Sequence, residues 1–181
     1  TETVANPTKV KDTTPEFSAI FSDVDGSDTG NYYEIEVNTN NSFTGTVMWD
    51  SNQTSTGPIT NGQRSSDISY AGTSLTLDGI TYYWRMRYWD NNGAVSNWSS
   101  TANFTMSGQP NTPTSLLTEG STNPTSVMDI TPEFSAIYTD PNSDNGTHYE
   151  IEVNTNDSFT GTVMWDSNQT AIGPITSGDR S

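Results

Sequence analysis

The sequence predicts an all-β protein folded as an antiparallel β-sandwich, and three observations carry that expectation. Thr, Ser, Asn, Gly and aromatic residues dominate, with long stretches lacking the strong helix formers Ala, Leu, Lys and Glu, a balance that favours short strands and polar turns. Apolar and polar side chains alternate with period two in several short stretches, the mark of a half-buried strand. Finally, the phrase EVNTNNSFTGTVMWDSNQT at 36–54 returns at 152–170 with only Asn41 changed, to Asp157.

The elements follow in order. A short first strand is expected near Val10. In EFSAIFS, Phe17, Ala19 and Phe21 share one face; in YYEIEVN, Tyr33, Ile35 and Val37 do, which leaves Glu34 and Glu36 on the other. Further strands are expected at GTVMWD (45–50), DISYAGTSLTL (67–77), TYYWRMRYW (81–89) and ANFTM (102–106), separated by turns such as DNNG at 90–93. About seven strands in roughly 108 residues is the usual count for an immunoglobulin-like sandwich.

The repeat sets the domain plan. Thr1 aligns with Thr118, and after a one-residue deletion in the following loop the register runs on until Ser181 meets Ser65. The chain therefore reads as one complete sandwich at 1–108, an inter-repeat linker at 109–117, and the first half of a second repeat at 118–181. So long a period points to tandem whole domains rather than a solenoid, whose units repeat every 20–50 residues or so. A half sandwich would leave an apolar face wet and a strand edge unpaired. Three explanations stand: an array that continues past this excerpt, strands borrowed from a neighbouring repeat or like chain, or a poorly ordered segment.

The stretch LDGITYYWRMRYWDNNGAVSNWSSTANFTM (77–106) resembles the last two strands of a fibronectin type III-like domain, with Gly79 and Tyr82 at the family's spacing. The resemblance implies that Tyr82 is a corner tyrosine, its hydroxyl tied back to the preceding turn. It covers 1–108 completely and 118–181 as a first half. It is to the tandem modules of long secreted or surface-anchored bacterial proteins, which implies a stalk, adhesin, spacer or filament subunit outside the cell. In such a fold the strand at 81–89 lies beside that at 32–38, so Glu34 and Glu36 would face Arg85 and Arg87 as structural cross-strand pairs rather than ligand contacts.

Charge and composition exclude several classes. Six basic against twenty-two acidic residues give −16, which repels nucleic acid and anionic lipid alike. No run reaches the roughly 20 apolar residues of a membrane span. With no cysteine there is no disulfide, thiolate metal site or cysteine nucleophile. Any export signal is expected either to have been removed or to lie upstream of Thr1.

Metal binding is the best local chemistry. SDVDGSDTGN (22–31) gathers Asp23, Asp25 and Asp28, and its counterpart gathers Asp140, Asn142 and Asp144, oxygen ligands suited to Ca2+. The helix-loop calcium motif fails, because Asp28 stands where its glycine belongs and Ile151 where the second copy needs glutamate. Asx-rich turns also occur without any ion. Tyr83 and Trp89 form a candidate face for a glycan or protein ligand, whereas Trp49, Trp84 and Trp98 have core or inter-sheet roles open to them. Catalysis is not expected: the single histidine, His148, falls in a loop where the first repeat has Tyr32, so the complete domain cannot build a Ser-His-Asp triad. The sequons at Asn40, Asn52, Asn97, Asn103, Asn145, Asn156 and Asn168 are expected at about this frequency in a chain so rich in Asn, Ser and Thr, and do not by themselves indicate glycosylation.

Overall fold

Strands of alternating aromatic and charged residues organise the molecule, seen in a computed structural model that describes residues 4–181; Thr1, Glu2 and Thr3, which open the first repeat, lie outside the described residues. The chain divides into two units, Thr1–Gly108 and Gln109–Ser181. Every described secondary-structure element is a strand, so no helix is long and apolar enough to cross a membrane.

In the first unit the strands are β1 (Glu16–Phe17), β2 (Thr29–Asn38), β3 (Val47–Asp50), β4 (Thr54–Thr60), β5 (Ile68–Ser69), β6 (Thr81–Asp90) and β7 (Ala102–Thr105). β2 and β6 form the centre of a sheet ordered β3-β2-β6-β7, with β4 also on β2; β1 and β5 make the facing pair. All pairings are antiparallel. β3 and β4 occupy the same edge of β2 in succession, β3 along Glu36–Asn38 and β4 along Thr29–Tyr33. The chain breaks between them at Asn52, whose φ of 49° suits asparagine.

β6 alternates without interruption, burying Tyr82, Trp84, Met86 and Tyr88 and turning Tyr83, Arg85, Arg87 and Trp89 outward. The buried side meets Phe17 of the small sheet. That ring lies 4.9 Å from Trp84, 5.8 Å from Phe104, 6.0 Å from Trp49 and 6.5 Å from Tyr70, centroid to centroid. Tilted aromatic contacts of this kind stabilise a core beyond its buried area. Ile35, Val37, Met106 and Pro15 complete it, all essentially inaccessible to solvent. The fold is the immunoglobulin-like β-sandwich the sequence predicts.

Several elements differ from expectation. The stretch at 16–22 is strand only at Glu16–Phe17, with an isolated bridge at Ile20, and Val10 makes a single parallel bridge to Met106. Residues 67–77 supply only β5. Beyond it the chain crosses hard against β3, with Thr73 N donating to Met48 O at 2.9 Å and a side chain on Gly72 excluded by that same carbonyl. β4 was not among the expected strands; it contains Gly57 and Pro58, residue types that favour turns. Pro58 is tolerated because β4 is an edge strand.

A serine device replaces regular pairing where strands run out. Ser96 N donates to Tyr88 O at 2.9 Å while Tyr88 N donates to Ser96 Oγ at 3.1 Å; Ser99 does the same to Met86 at the same two distances. Each hydroxyl then donates to the next carbonyl, Asn97 O or Ser100 O. One serine thus satisfies both backbone groups of the residue opposite, which would otherwise be buried unpaired. Ser51 holds Ile35 in this way, and Ser167 holds Ile151.

In the second unit the strands are β8 (Thr114–Thr118), β9 (Phe134–Ile137), β10 (Gly146–Tyr149), β11 (Glu152–Asn154), β12 (Val163–Asp166) and β13 (Thr170–Ile175). Residues 109–117, expected as linker, contribute most of β8. It pairs with β9 so that Thr118 faces Phe134, the place that Ile68 of β5 takes beside Phe17 in the first unit. His148, expected in a loop, lies on β10 opposite Ala171. The β11–β12 register, Glu152 on Asp166 and Val153 on Trp165, reproduces that of β2–β3. The counterpart of the single strand β2 is interrupted at Glu150 and Ile151, where no β6 lies alongside.

Candidate functional site

The outer face of β6 concentrates the chain's charged and aromatic side chains. Antiparallel register sets Glu34 opposite Arg87 and Glu36 opposite Arg85. Arg87 reaches Glu34 Oε2 with Nε at 2.8 Å and a terminal nitrogen at 2.6 Å; Arg85 reaches Glu36 Oε2 at 3.1 and 2.6 Å. Glu36 is largely buried and also accepts from the Asn38 amide at 3.3 Å.

Aromatic rings sandwich both guanidinium groups. Trp98 lies 4.4 Å from each, Phe43 caps Arg85 at 4.1 Å, and Trp89 lies 5.0 Å from Arg87. Planar guanidinium stacks on aromatic faces while its edge hydrogen-bonds a carboxylate, so one arginine serves both contacts. The order is Phe43, Arg85, Trp98, Arg87, Trp89. A core or inter-sheet role was open to Trp98, but the ring lies on the outer face of β6. Anchored through Ser96 and Ser99, its segment advances three residues between contacts with β6 rather than two, and this turns the indole outward.

Tyr83 and Trp89, expected as one ligand face, are separated. Six residues apart on one strand, they lie roughly 20 Å from each other, with Arg85 and Arg87 between them. Tyr83 therefore takes no part in the stack.

The acidic loop brings Asp23, Asp25 and Asp28 together, with one carboxylate oxygen of each within 4.8 Å of the others. Asp23 Oδ1 accepts from Asp25 N at 2.8 Å, and Asp28 Oδ2 accepts from Asn92 Nδ2 at 2.9 Å. In the second unit, Asp140 is buried and Oδ1 accepts from both Asn142 N and Asp144 N, at 2.8 and 3.1 Å. The bonds accepted by Asp23 and Asp140 are turn-forming bonds of the Asx type, whereas that of Asp28 ties the loop to the 90–93 turn. Asn40 and Asn156 work likewise, each accepting from the serine two residues on, which gives two of the sequons a role in turns.

Tyr82 is buried against Phe104, ring centroids 5.6 Å apart. Its hydroxyl hydrogen-bonds Thr76 in the turn that contains Gly79, and burial followed by the nearby Asp78 carboxylate raises its pKa. Tyr70 donates to Thr73 O at 2.6 Å and Met48 O at 3.1 Å. Burial, helped by Tyr82, pushes its pKa up to about 12.

This architecture can be compared with known proteins. The model of the family described as "Rha78A-like, N-terminal immunoglobulin domain" matches residues 1–108. The chain belongs to this family. The match supports the immunoglobulin-like reading of the first unit without extending to tandem modules of surface proteins. Among solved structures, the chain is similar to a Streptomyces avermitilis α-L-rhamnosidase complexed with L-rhamnose, at 23% identity and TM-score 0.48, covering 59% of this chain and 10% of that one. It is also similar to the α-L-rhamnosidase from Dictyoglumus thermophilum, at 18% identity and TM-score 0.48, covering 84% of this chain and 17% of that one. The chain thus spans under a fifth of either enzyme's length. No curated protein matches it.

Proposed function

We propose that this chain is a non-catalytic accessory segment of a secreted or surface protein that acts on rhamnose-containing glycans, its repeats serving as a stiff spacer. A spacer of this kind is also what the fibronectin type III-like resemblance implies, there carrying an adhesive or filament-forming part. The family membership of residues 1–108 supports the accessory role. The observation that carries it is the outer face of β6, where Glu34, Glu36, Arg85 and Arg87 bind one another and Trp98 lies across both arginines. Side chains held in mutual contact in this way stiffen a sheet. A binding site would instead turn them toward a ligand.

The test is direct. Residues 1–181 are incubated with an aryl α-L-rhamnoside and, separately, titrated with L-rhamnose and with rhamnose-containing polysaccharide. The expected result is neither hydrolysis nor saturable binding. Hydrolysis by this chain alone overturns the accessory role; binding abolished by Trp89→Ala replaces the spacer with a glycan-binding module.

A further inference from the structure

Three asparagines of the chain precede a glycine: Asn61, Asn92 and Asn145. Asparagine is among the thermolabile residues, and a following glycine, with no β-carbon, leaves its nitrogen free to approach the side chain before it. The three are alike in sequence, but their surroundings differ. Asn61 is half-buried and held at both ends of its amide, Oδ1 accepting from Asp23 N and Nδ2 donating to Asp23 O, each at 3.0 Å. Gly62 N donates to Phe21 O at 2.9 Å. Gly146, which follows Asn145, is buried in β10 opposite Ile175. The ring of Tyr138 lies so close that an added β-carbon would stand 3.2 Å from it.

Asn92 differs on each count. Asn92 and Gly93 are both exposed in the 90–93 turn, and a β-carbon on Gly93 would meet nothing within 4 Å. Gly93 N donates to Asp90 O at 3.3 Å, the longest backbone hydrogen bond outside the regular strands among the described residues. The Asn92 amide donates through Nδ2 to Asp28 Oδ2 at 2.9 Å, a bond to one flexible side chain where Asn61 is tied twice to backbone.

We propose that Asn92 is a site of spontaneous covalent modification, the folded domain directing ring closure there and sparing Asn61 and Asn145. Gly93 N gives its proton to water and bonds to Asn92 Cγ; the bond from Cγ to Nδ2 breaks, and ammonia leaves with a proton taken from solvent. Water then opens the five-membered imide at either carbonyl, leaving aspartate or isoaspartate at this position. Nothing is oxidised or reduced. The product sets a carboxylate where Asp28 Oδ2 had a donor, and two like charges so close repel. The tie between the 22–31 loop and the 90–93 turn therefore opens. This inference rests on the geometry of the first unit and is independent of the spacer reading.

The experiment holds the full chain folded at mildly alkaline pH and follows the conversion of amide to acid by peptide mass mapping, beside a sample unfolded in guanidinium chloride. In the folded chain, conversion at Asn92 is expected to run severalfold faster than at Asn61 and Asn145. In the unfolded chain the three rates should converge. Asn92→Asp carries the new charge from the start. Its Thr29 amide, which donates to Asn91 Oδ1 at 2.9 Å across the same junction, should exchange faster with deuterium than in the parent chain. The Phe21 amide, bonded to Gln63 O at 2.9 Å, should keep its protection and so report that the unit is folded. Persistence of Asn92 in the folded chain, conversion of Asn61 or Asn145 at an equal rate, or unchanged exchange at Thr29 in Asn92→Asp would each overturn the proposal.

Discussion

Arg87 grips Glu34 through two nitrogens, at 2.8 and 2.6 Å, while its guanidinium lies 4.4 Å from the centre of the Trp98 ring. An exposed arginine–glutamate pair alone contributes little, because water and salt screen it. Here both side chains are largely withdrawn from solvent, 31% and 12% exposed, and the ring restricts the guanidinium further. Trp98 makes the same contact with Arg85, so one residue holds two ion pairs in place.

Replacing that ring tests the arrangement. Trp98→Ala is expected to lower the stability of the first unit by about 1–2 kcal/mol, two cation–π contacts being lost. In a double-mutant cycle its effect should be non-additive with Arg87→Ala. Urea unfolding followed by circular dichroism measures both; strictly additive losses would show that ring and guanidinium act separately.

The serine clamps make a sharper prediction. Ser96→Ala leaves Tyr88 N without its acceptor, and an unsatisfied buried donor costs about 1–3 kcal/mol. The Tyr88 amide should also exchange faster with deuterium, while that of Met86, held by Ser99 Oγ, should be spared. Ser96→Thr keeps the hydroxyl and should recover most of the loss.

Gly72 is required by close approach. A β-carbon there would stand 2.2 Å from Met48 O and 2.5 Å from Trp49 Cβ, contacts that backbone cannot easily relieve. Gly72→Ala should therefore destabilise by about 1–3 kcal/mol or more, read as a lower denaturant midpoint. Gly93, with open space around its α-carbon, is a poor control because its φ is 87°. Gly173, also unobstructed, is a better one.

Alkaline pH should unfold the first unit. Tyr70 titrates near 10.0 when unfolded and at about 12 when folded, so between those values the unfolded chain binds fewer protons and stability falls as pH rises. The contribution is complete below pH 10 and lost through about 12. Tyr33 and Tyr88 are shifted in the same direction, chiefly by burial. Thermal melts from pH 8 to 12 should show a falling midpoint, with a shallower fall in Tyr70→Phe.

What could be read in advance depended on how locally each feature is encoded. β6 was legible because ten residues without glycine or proline alternate strictly, and its pairing with β2 followed from the fold class, which set the arginines opposite the glutamates. β4 was hidden by Gly57 and Pro58, whose turn preference yields to an edge position. The stretch from Tyr70 to Leu77 looked strand-like by composition, yet Tyr70 bonds Met48 and Thr73 and pulls the chain out of pairing. The outward position of Trp98 was not legible because the three-residue step between Ser96 and Ser99 does not follow the strand period. The acidic loop could be found by its spacing, but not that Asp23 accepts from a turn amide and Asp28 from the Asn92 side chain, since that depends on backbone geometry.

The clamped segment at 96–99 also has a consequence for crowding. β7 pairs with β6 only as far as Trp84, and beyond it β6 would present bare amides and carbonyls to any extended chain that drifted past. Serines fastened at every third residue close that margin without becoming a ladder themselves, so their far side offers no template for growth. The sequence most able to misalign there is the chain's own near copy. A protein that carries its own close imitation within the same polypeptide gains more from such a selvedge than from another increment of stability.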